Sequence, residues 1–140
     1  MEINSSLFFR IKEIELLIKK RILKIYKDAG IDITPAQSKL IIFIKNNKNV
    51  LQKDLEKLSF LSKSTLSKTL SIMESNDLIE RVNIEDGRKR KIVLTNKSIE
   101  ISNNIEKELS NIEKSLIENI DEEKMNVFLN VLDTIKNNVI

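Results

Sequence analysis

The sequence contains 140 residues, of which 41% are hydrophobic and 32% are charged, and it has a formal net charge of +3. This size and composition predict one soluble domain, and no apolar run reaches the ~20 residues that a membrane span needs. The first residues lack a signal-peptide pattern, so we expect a cytoplasmic protein without a membrane partner. Cysteine and histidine are both absent, which excludes disulfides and a thiol switch. Because the usual metal ligands and the commonest general base are missing, we expect neither a metal site, a cofactor nor an enzyme.

The charge is unevenly distributed along the chain. Residues 1–52 carry ten cations and five anions, residues 53–97 carry ten and seven, and residues 98–140 carry four and nine. The net charges of the three segments are therefore +5, +3 and −5. This asymmetry favours one surface that meets a polyanion, although charge runs are commonly no more than solvated helix faces.

The first half of the chain predicts two helices separated by a clear start signal. Apolar residues recur every three or four positions from Leu7 to Ile25, which predicts an amphipathic helix that ends at Gly30. The stretch "TPAQ" at residues 34–37 then supplies a threonine N-cap, a proline at the first helical position and a glutamine three residues after the cap. A second helix is expected to start there and to end in the polar cluster "KNNKN".

A short third helix is predicted around Gln52–Leu58, and Ser62 is predicted to cap a fourth helix that ends near Asn76. At 100° per residue, one side of the fourth helix is apolar and the other carries small hydroxyls and a lysine. Short hydroxyl side chains allow close approach to another surface and can donate hydrogen bonds. The apolar side comprises Leu66, Thr69, Leu70 and Met73, and the hydroxyl side comprises Ser64, Ser67, Lys68, Ser71 and Ser75.

The runs "LIERV" at residues 78–82 and "RKIVL" at residues 90–94 predict a β-hairpin. Asp86 and Gly87 suit its turn, since both tolerate positive φ. Four consecutive cations, Arg88 to Lys91, follow the turn. Because like charges repel one another, this arrangement favours a counter-charge that comes from outside the protein.

Two further amphipathic helices are predicted after the hairpin, with Asp121 as the N-cap of the second. Their apolar stripes consist of Ile101, Ile105, Leu109, Ile112, Leu116 and Ile120 in the first helix, and Met125, Phe128, Leu129, Leu132, Ile135 and Val139 in the second.

Three short helices followed by a two-stranded hairpin predict a winged helix-turn-helix, and the sequence resembles the MarR family of bacterial transcriptional regulators. The resemblance rests on "TPAQ" (34–37), "QKDLEKL" (52–58), "LSKSTLSKTLSIME" (61–74), "DLIER" (77–81) and "DGRKRKIVLT" (86–95), which occur in the order and spacing of the family. The implied fold is mainly helical. It has a winged helix-turn-helix DNA-binding region at residues 31–97, flanked by long dimerisation helices at residues 1–30 and 98–140.

The chain departs from the family pattern around the third helix. Leu51 stands where a Thr or Ser cap is common, so we expect the cap to move to Asn49. Phe60 stands where glycine or a small polar residue is frequent, and we expect its side chain to pack as a wedge between the third and fourth helices.

The resemblance implies that the fourth helix enters the major groove of DNA and that the wing reaches the neighbouring minor groove. Lys63 is a candidate phosphate contact, and Arg88 is the candidate for the minor groove, while Lys89, Arg90 and Lys91 alternate in direction along their strand. The implied DNA-binding residues are Lys63, Ser64, Thr65, Ser67, Lys68, Ser71, Arg88, Lys89 and Arg90, with Asp86 and Gly87 in the wing turn. An ordinary solvent-exposed face stays open as the alternative for these residues.

The flanking helices are expected to form a homodimer, which implies a palindromic and A·T-rich operator for a repressor; a monomeric helical bundle is the alternative. A small-molecule effector stays open, with a pocket near Tyr26, Phe43 and the fifth helix as one place for it and plain core packing as the other reading. Two other functions also stay open. One is a winged-helix module that binds an acidic protein surface without specific DNA binding, and the other is a small catalytic helical bundle.

Overall fold

A computed structural model describes residues 1–84 and 89–140 of the chain. The described residues form six helices and a two-stranded sheet, after a short 3-10 turn at Ile3–Ser5. No helix in these two ranges is both long and apolar enough to cross a membrane. The mainly helical fold with one hairpin is confirmed. Its elements are α1 (Leu7–Asp28), α2 (Pro35–Asn46), α3 (Gln52–Ser59), α4 (Lys63–Ser75), β1 (Ile79–Ile84), β2 (Lys89–Leu94), α5 (Asn96–Leu116) and α6 (Glu122–Val139).

The chain divides into two compact units, Met1–Glu108 and Leu109–Ile140. The first unit contains α1 to α4, both strands and most of α5, and the second contains the end of α5 and all of α6. The division of the chain into dimerisation and DNA-binding segments is a functional one, and it stays a prediction.

The start of α2 is built as its sequence predicts. The Thr34 side chain accepts a hydrogen bond from the Gln37 N–H at 3.1 Å, and the Gln37 side chain accepts one from the Thr34 N–H at 3.1 Å. Two backbone donors that the helix itself cannot satisfy are thereby paired, with Pro35 at the first helical position. The predicted capping box is confirmed.

The expected cap of α3 at Asn49 is wrong. Leu51 occupies the N-cap position, and its backbone N–H donates to the Asp54 carboxylate at 2.8 Å. Asn49 lies outside the helix with a φ of 54°, a left-handed conformation that asparagine tolerates better than most residues. The following residue Val50 accepts a hydrogen bond from the Ile92 N–H of β2 at 2.8 Å. This pairing with β2 keeps the chain extended until Leu51, so the helix cannot begin earlier.

The expected wedge at Phe60 is also wrong. Phe60 is the C-cap of α3 with a φ of 57°, and its side chain is 76% exposed. Its N–H donates to the Glu56 carbonyl at 3.2 Å, as a left-handed C-cap does. Leu55 of α3 and Leu66 of α4 are fully buried, whereas the Phe60 ring is not. The chain therefore holds an aromatic residue in a position that glycine normally fills.

The hairpin is longer than its sequence predicts. β1 and β2 pair antiparallel from Ile79↔Leu94 to Ile84↔Lys89, so the ladder extends two residues past the predicted end of the first strand. Cross-strand partners share a face, and buried Ile79 and Ile92 put one face of the hairpin against the core. The predicted turn residues Asp86 and Gly87, and Arg88 beside them, lie outside the described residues.

Tyr26 belongs to the core of the first unit rather than to a pocket. It is 1% exposed, and its hydroxyl donates to Ser38 Oγ at 2.9 Å, which ties α1 to α2. Burial raises the pKa of the Tyr26 phenol. Of the two alternatives for Tyr26, a ligand pocket and core packing, the structure therefore supports core packing. Other fully buried side chains of the same core are Leu40, Ile41, Leu55, Leu66, Leu70, Met73, Ile79, Ile92 and Ile105.

Apolar residues of α1 and α6 lie on the surface. In α6, Asp121 caps the helix as predicted by accepting the Glu123 N–H, yet the apolar stripe of this helix has little cover within its own chain. The stripe of α5 ends at Leu116, and Ile120 lies beyond the helix rather than in it as expected. The exposed large apolar residues of α1 and α6 include Leu7, Phe8, Ile11, Ile14, Leu17, Val127, Phe128, Leu129, Val131, Leu132 and Val139.

Candidate nucleic-acid interface

The N-terminus of α4 presents three exposed polar side chains, Lys63, Ser64 and Thr65. Ser62 caps the helix as predicted: its Oγ accepts the Thr65 N–H at 3.1 Å and donates to Thr65 Oγ1 at 2.9 Å. The hydroxyl of Thr65 is therefore engaged with the cap, whereas the side chains of Lys63 and Ser64 point to solvent. A helix N-terminus carries partial positive charge, so this end of α4 suits contact with an anion.

The two sides of α4 differ as the sequence predicts. Leu66, Leu70 and Met73 are 0% exposed and form part of the core. The opposite side forms a shallow concavity of about 540 Å³, lined by Ser64, Ser67, Lys68, Ser71 and Ile72. Four of the predicted DNA-binding residues are therefore brought together on one surface, with Ser67 half-buried at its edge.

Ser67 and Ser71 share a hydrogen-bonded group with Arg81 of β1. Arg81 Nη2 donates to the Ser67 carbonyl at 3.0 Å and to Ser71 Oγ at 3.1 Å, and Ser71 Oγ donates to the same carbonyl at 2.9 Å. Sequence reasoning missed Arg81. Its signal was its place at the end of "DLIER", two residues after the buried Ile79 and hence on the same face of the strand.

A second concavity, of about 310 Å³, joins the N-terminal ends of α3 and α4 to the first residues of β2. It brings predicted Lys63, Lys89 and Arg90 together, and it adds Lys53, which sequence reasoning also missed. One carboxylate, that of Glu56, lies among these four cations. The uneven charge of the sequence thus becomes a local cluster of positive charge beside the hydroxyl side of α4.

Within residues 1–84 and 89–140, no three His, Cys, Asp or Glu side chains form a group that could hold a metal ion.

Comparison with known proteins finds a family similarity over part of the chain. The sequence model described as "MarR family" matches residues 31–89, which span α2 to the start of β2. Over this segment the chain is similar to the MarR family. A search of curated proteins finds no match.

Solved structures show that the MarR-like fold extends over nearly the whole chain. A MepR–DNA complex from S. aureus has a TM-score of 0.88 at 18% identity, and the match covers 96% of this chain and 97% of that one. A MarR/EmrR family transcriptional regulator from Acinetobacter sp. has a TM-score of 0.87 at 19% identity, with 99% and 98% covered. The transcriptional repressor CouR, bound to a 23-mer DNA duplex, has a TM-score of 0.85 at 21% identity, with 96% and 95% covered. At these identities the likeness establishes the fold.

Proposed function

We propose that this protein is a transcriptional regulator that binds double-stranded DNA sequence-specifically, with α4 in the major groove and the wing in the neighbouring minor groove. The observation that carries the proposal is the division of α4 into a fully buried apolar side and an open side of hydroxyls and Lys68. Similarity to the MarR family over residues 31–89 supports it, as do the DNA duplexes bound to CouR and MepR.

The charges around α4 support a duplex as the partner. Lys53, Lys63, Lys89 and Arg90 line one concavity next to the hydroxyl side of the helix. When α4 lies in the major groove, the cations beside it can contact phosphates, whereas its serine hydroxyls and Lys68 can reach base edges. Arg88, which follows the predicted turn in the sequence, is proposed for the minor groove, where a narrow A·T-rich groove attracts arginine.

A homodimer on a palindromic operator is part of the same proposal. The exposed apolar residues of α1 and α6 favour a second copy of the chain as their cover. Two recognition helices related by a two-fold axis would then lie roughly 34 to 36 Å apart, one turn of DNA. A regulator of this kind acts as a repressor when its operator overlaps a promoter, which is the mode we propose.

A small-molecule effector completes the proposal. One CouR structure is bound to p-coumaroyl-CoA, and the PcaV structure is in complex with its natural ligand. In this chain, an open pocket of about 460 Å³ lies between the end of α2, β2 and the start of α5. Apolar residues such as Ile44, Val50 and Ile92 line it, and Lys48 and Lys91 lie beside them. This chemistry suits an apolar molecule with an anionic group.

Selection of bound sites from a genomic DNA pool tests the proposal. We expect recovery of a palindromic site whose affinity falls steeply with salt but stays above that of random duplex at every salt concentration. The alternative partner, an acidic protein surface, predicts no such sequence-specific remainder. A folded protein that retains no duplex even in dilute buffer would refute DNA binding.

Two variants assign the contacts. Lys63→Ala should weaken operator and random duplex alike and should reduce the slope of log affinity against log salt by about 1, because one phosphate contact is lost. Arg88→Ala should weaken the operator alone by about 1 to 3 kcal/mol if this residue reads a groove. Lys107→Ala, an exposed change on α5, is the matched control and should alter neither affinity.

A further inference from the structure

We propose that Arg81 is a positioning residue that fixes the wing relative to α4, so that both elements fit one duplex at the same time. The inference rests on the proposed DNA-binding function. It assigns to Arg81 no contact with DNA, and instead a role in holding together the two elements that make contact.

Arg81 lies where the hairpin leaves the core. One face of β1 carries Ile79, Arg81 and Asn83. The cross-strand partner of Arg81 is Ile92 of β2. Ile79 and Ile92 are buried, Arg81 is half-buried and Asn83 is exposed. Arg81 is thus the last residue on this face of β1 before the strand projects into solvent.

The guanidinium group joins the hairpin to α4 at two points. Nη2 donates to the Ser67 carbonyl at 3.0 Å and to Ser71 Oγ at 3.1 Å, two acceptors from successive turns of α4 that are themselves 2.9 Å apart. Both acceptors belong to residues that line the open side of α4. Hydrogen bonds from a charged donor are stronger than those between neutral groups, so they resist rotation of the wing about its base.

Stability alone does not account for an arginine at this position. Arg81 Nε is buried and has no hydrogen-bond partner among the described residues. Neither of the two ion pairs found in the described ranges includes Arg81. A buried donor that has no partner within residues 1–84 and 89–140 opposes folding, and an apolar side chain of the same length would avoid that cost. The hydrogen bonds to α4 are what the apolar replacement would lose.

The experiment compares Arg81→Met with Arg81→Lys in the full-length protein. Methionine keeps the apolar stem and removes both the charge and the hydrogen bonds. Lysine keeps the charge, but its nitrogen falls one bond short of the Nη2 position. Arg21→Lys on the exposed surface of α1 is the control for an arginine-to-lysine change. For each variant, affinity for the selected operator and for random duplex is measured across a series of salt concentrations, together with thermal unfolding.

A positioning role predicts that both Arg81 variants lose about tenfold in the ratio of operator to random affinity. Their salt slopes and their affinities for random duplex should stay those of the unsubstituted protein, and Arg21→Lys should change nothing. A direct phosphate contact predicts a different outcome, in which methionine lowers the salt slope by about 1 and lysine restores full binding. That outcome, or an unchanged affinity ratio in both variants, would overturn the proposal. If the unsubstituted protein shows no preference for any duplex, the proposed function fails first and separately.

Discussion

Two amphipathic helices of this protein, α4 and α6, have similar sequence patterns and different surroundings. In α4, within the unit Met1–Glu108, the apolar residues Leu66, Leu70 and Met73 are fully buried. In α6, within the unit Leu109–Ile140, Phe128 is 52% exposed and Leu129 is 48% exposed. The winged region thus completes its own core, whereas the last helix leaves its apolar stripe uncovered within its own compact unit.

The contrast shows that an apolar stripe in a sequence does not say which molecule will cover it. Helix α4 packs its inner side against α3 and β1, so its outer side is free to carry polar residues. Helix α6 has only the end of α5 within its own compact unit. Uncovered apolar residues of this number typically mark an interaction surface. The two helices should therefore respond differently to the same substitution.

The largest effect is expected from Leu70→Ala in α4. Leu70 is fully buried, so the change removes buried methyl groups and leaves a cavity, which should lower the free energy of unfolding by about 2 to 5 kcal/mol. Denaturant titration measures this loss. Because the core of the winged region lies within one chain, the loss should be the same at low and high protein concentration; a loss that grows on dilution would show that this core also depends on a partner.

The same change in α6, Leu129→Ala, should behave differently. If a second copy covers the half of this side chain that one chain leaves exposed, each copy loses about 1 kcal/mol and the dimer about 2 kcal/mol. Sedimentation over a dilution series should then show a dissociation constant raised by more than tenfold. An unchanged constant, or a monomer in the unsubstituted protein, would remove α6 from the dimer interface.

A smaller effect is expected at the start of α4. Ser62→Ala removes the oxygen that accepts the Thr65 N–H, and the loss of such a cap costs about 1 kcal/mol of stability. Ser62→Asp provides the control, since aspartate also caps helices and should preserve most of the stability. Equal melting temperatures for the alanine and the aspartate variants would show that the cap contributes nothing here.

The smallest expected effect is a gain in stability. Phe60→Gly replaces a left-handed phenylalanine by the residue that tolerates this conformation, which should raise the free energy of unfolding by about 0.5 to 1 kcal/mol. Little burial is lost, because the ring is mostly exposed. Phe60→Ala keeps the strain and removes the ring, so it should show no comparable gain. Destabilisation by glycine would mean that the ring packs against something in solution.

Much of the fold could be predicted because it depends on local signals. Thr34 and Gln37 form their capping box from residues three positions apart, and Ser62 caps α4 in the same way. The periodicity of α4 separates its buried and open sides without knowledge of any neighbour. The surface that gathers Ser64, Ser67, Lys68 and Ser71 follows from that periodicity alone.

What the sequence did not predict depends on contacts between distant segments. Asn49 is not the N-cap of α3 because the next residue, Val50, pairs with Ile92, more than forty positions away in the sequence. Arg81 was overlooked because its role appears only when β1 lies against α4. Lys53 joins the cationic cluster through the packing of α3 beside the hairpin. In each case the deciding partner lies in another element.

The hydrogen bond from Ile92 to Val50 has a consequence for solubility. A strand with a free edge can add a strand from another molecule, which is a common start of aggregation. The edge of β2 that faces away from β1 is covered at this point by the segment before α3, and Leu51 also bridges to Lys91. Growth of an intermolecular sheet from the outer edge of β2 is therefore blocked at the middle of the strand.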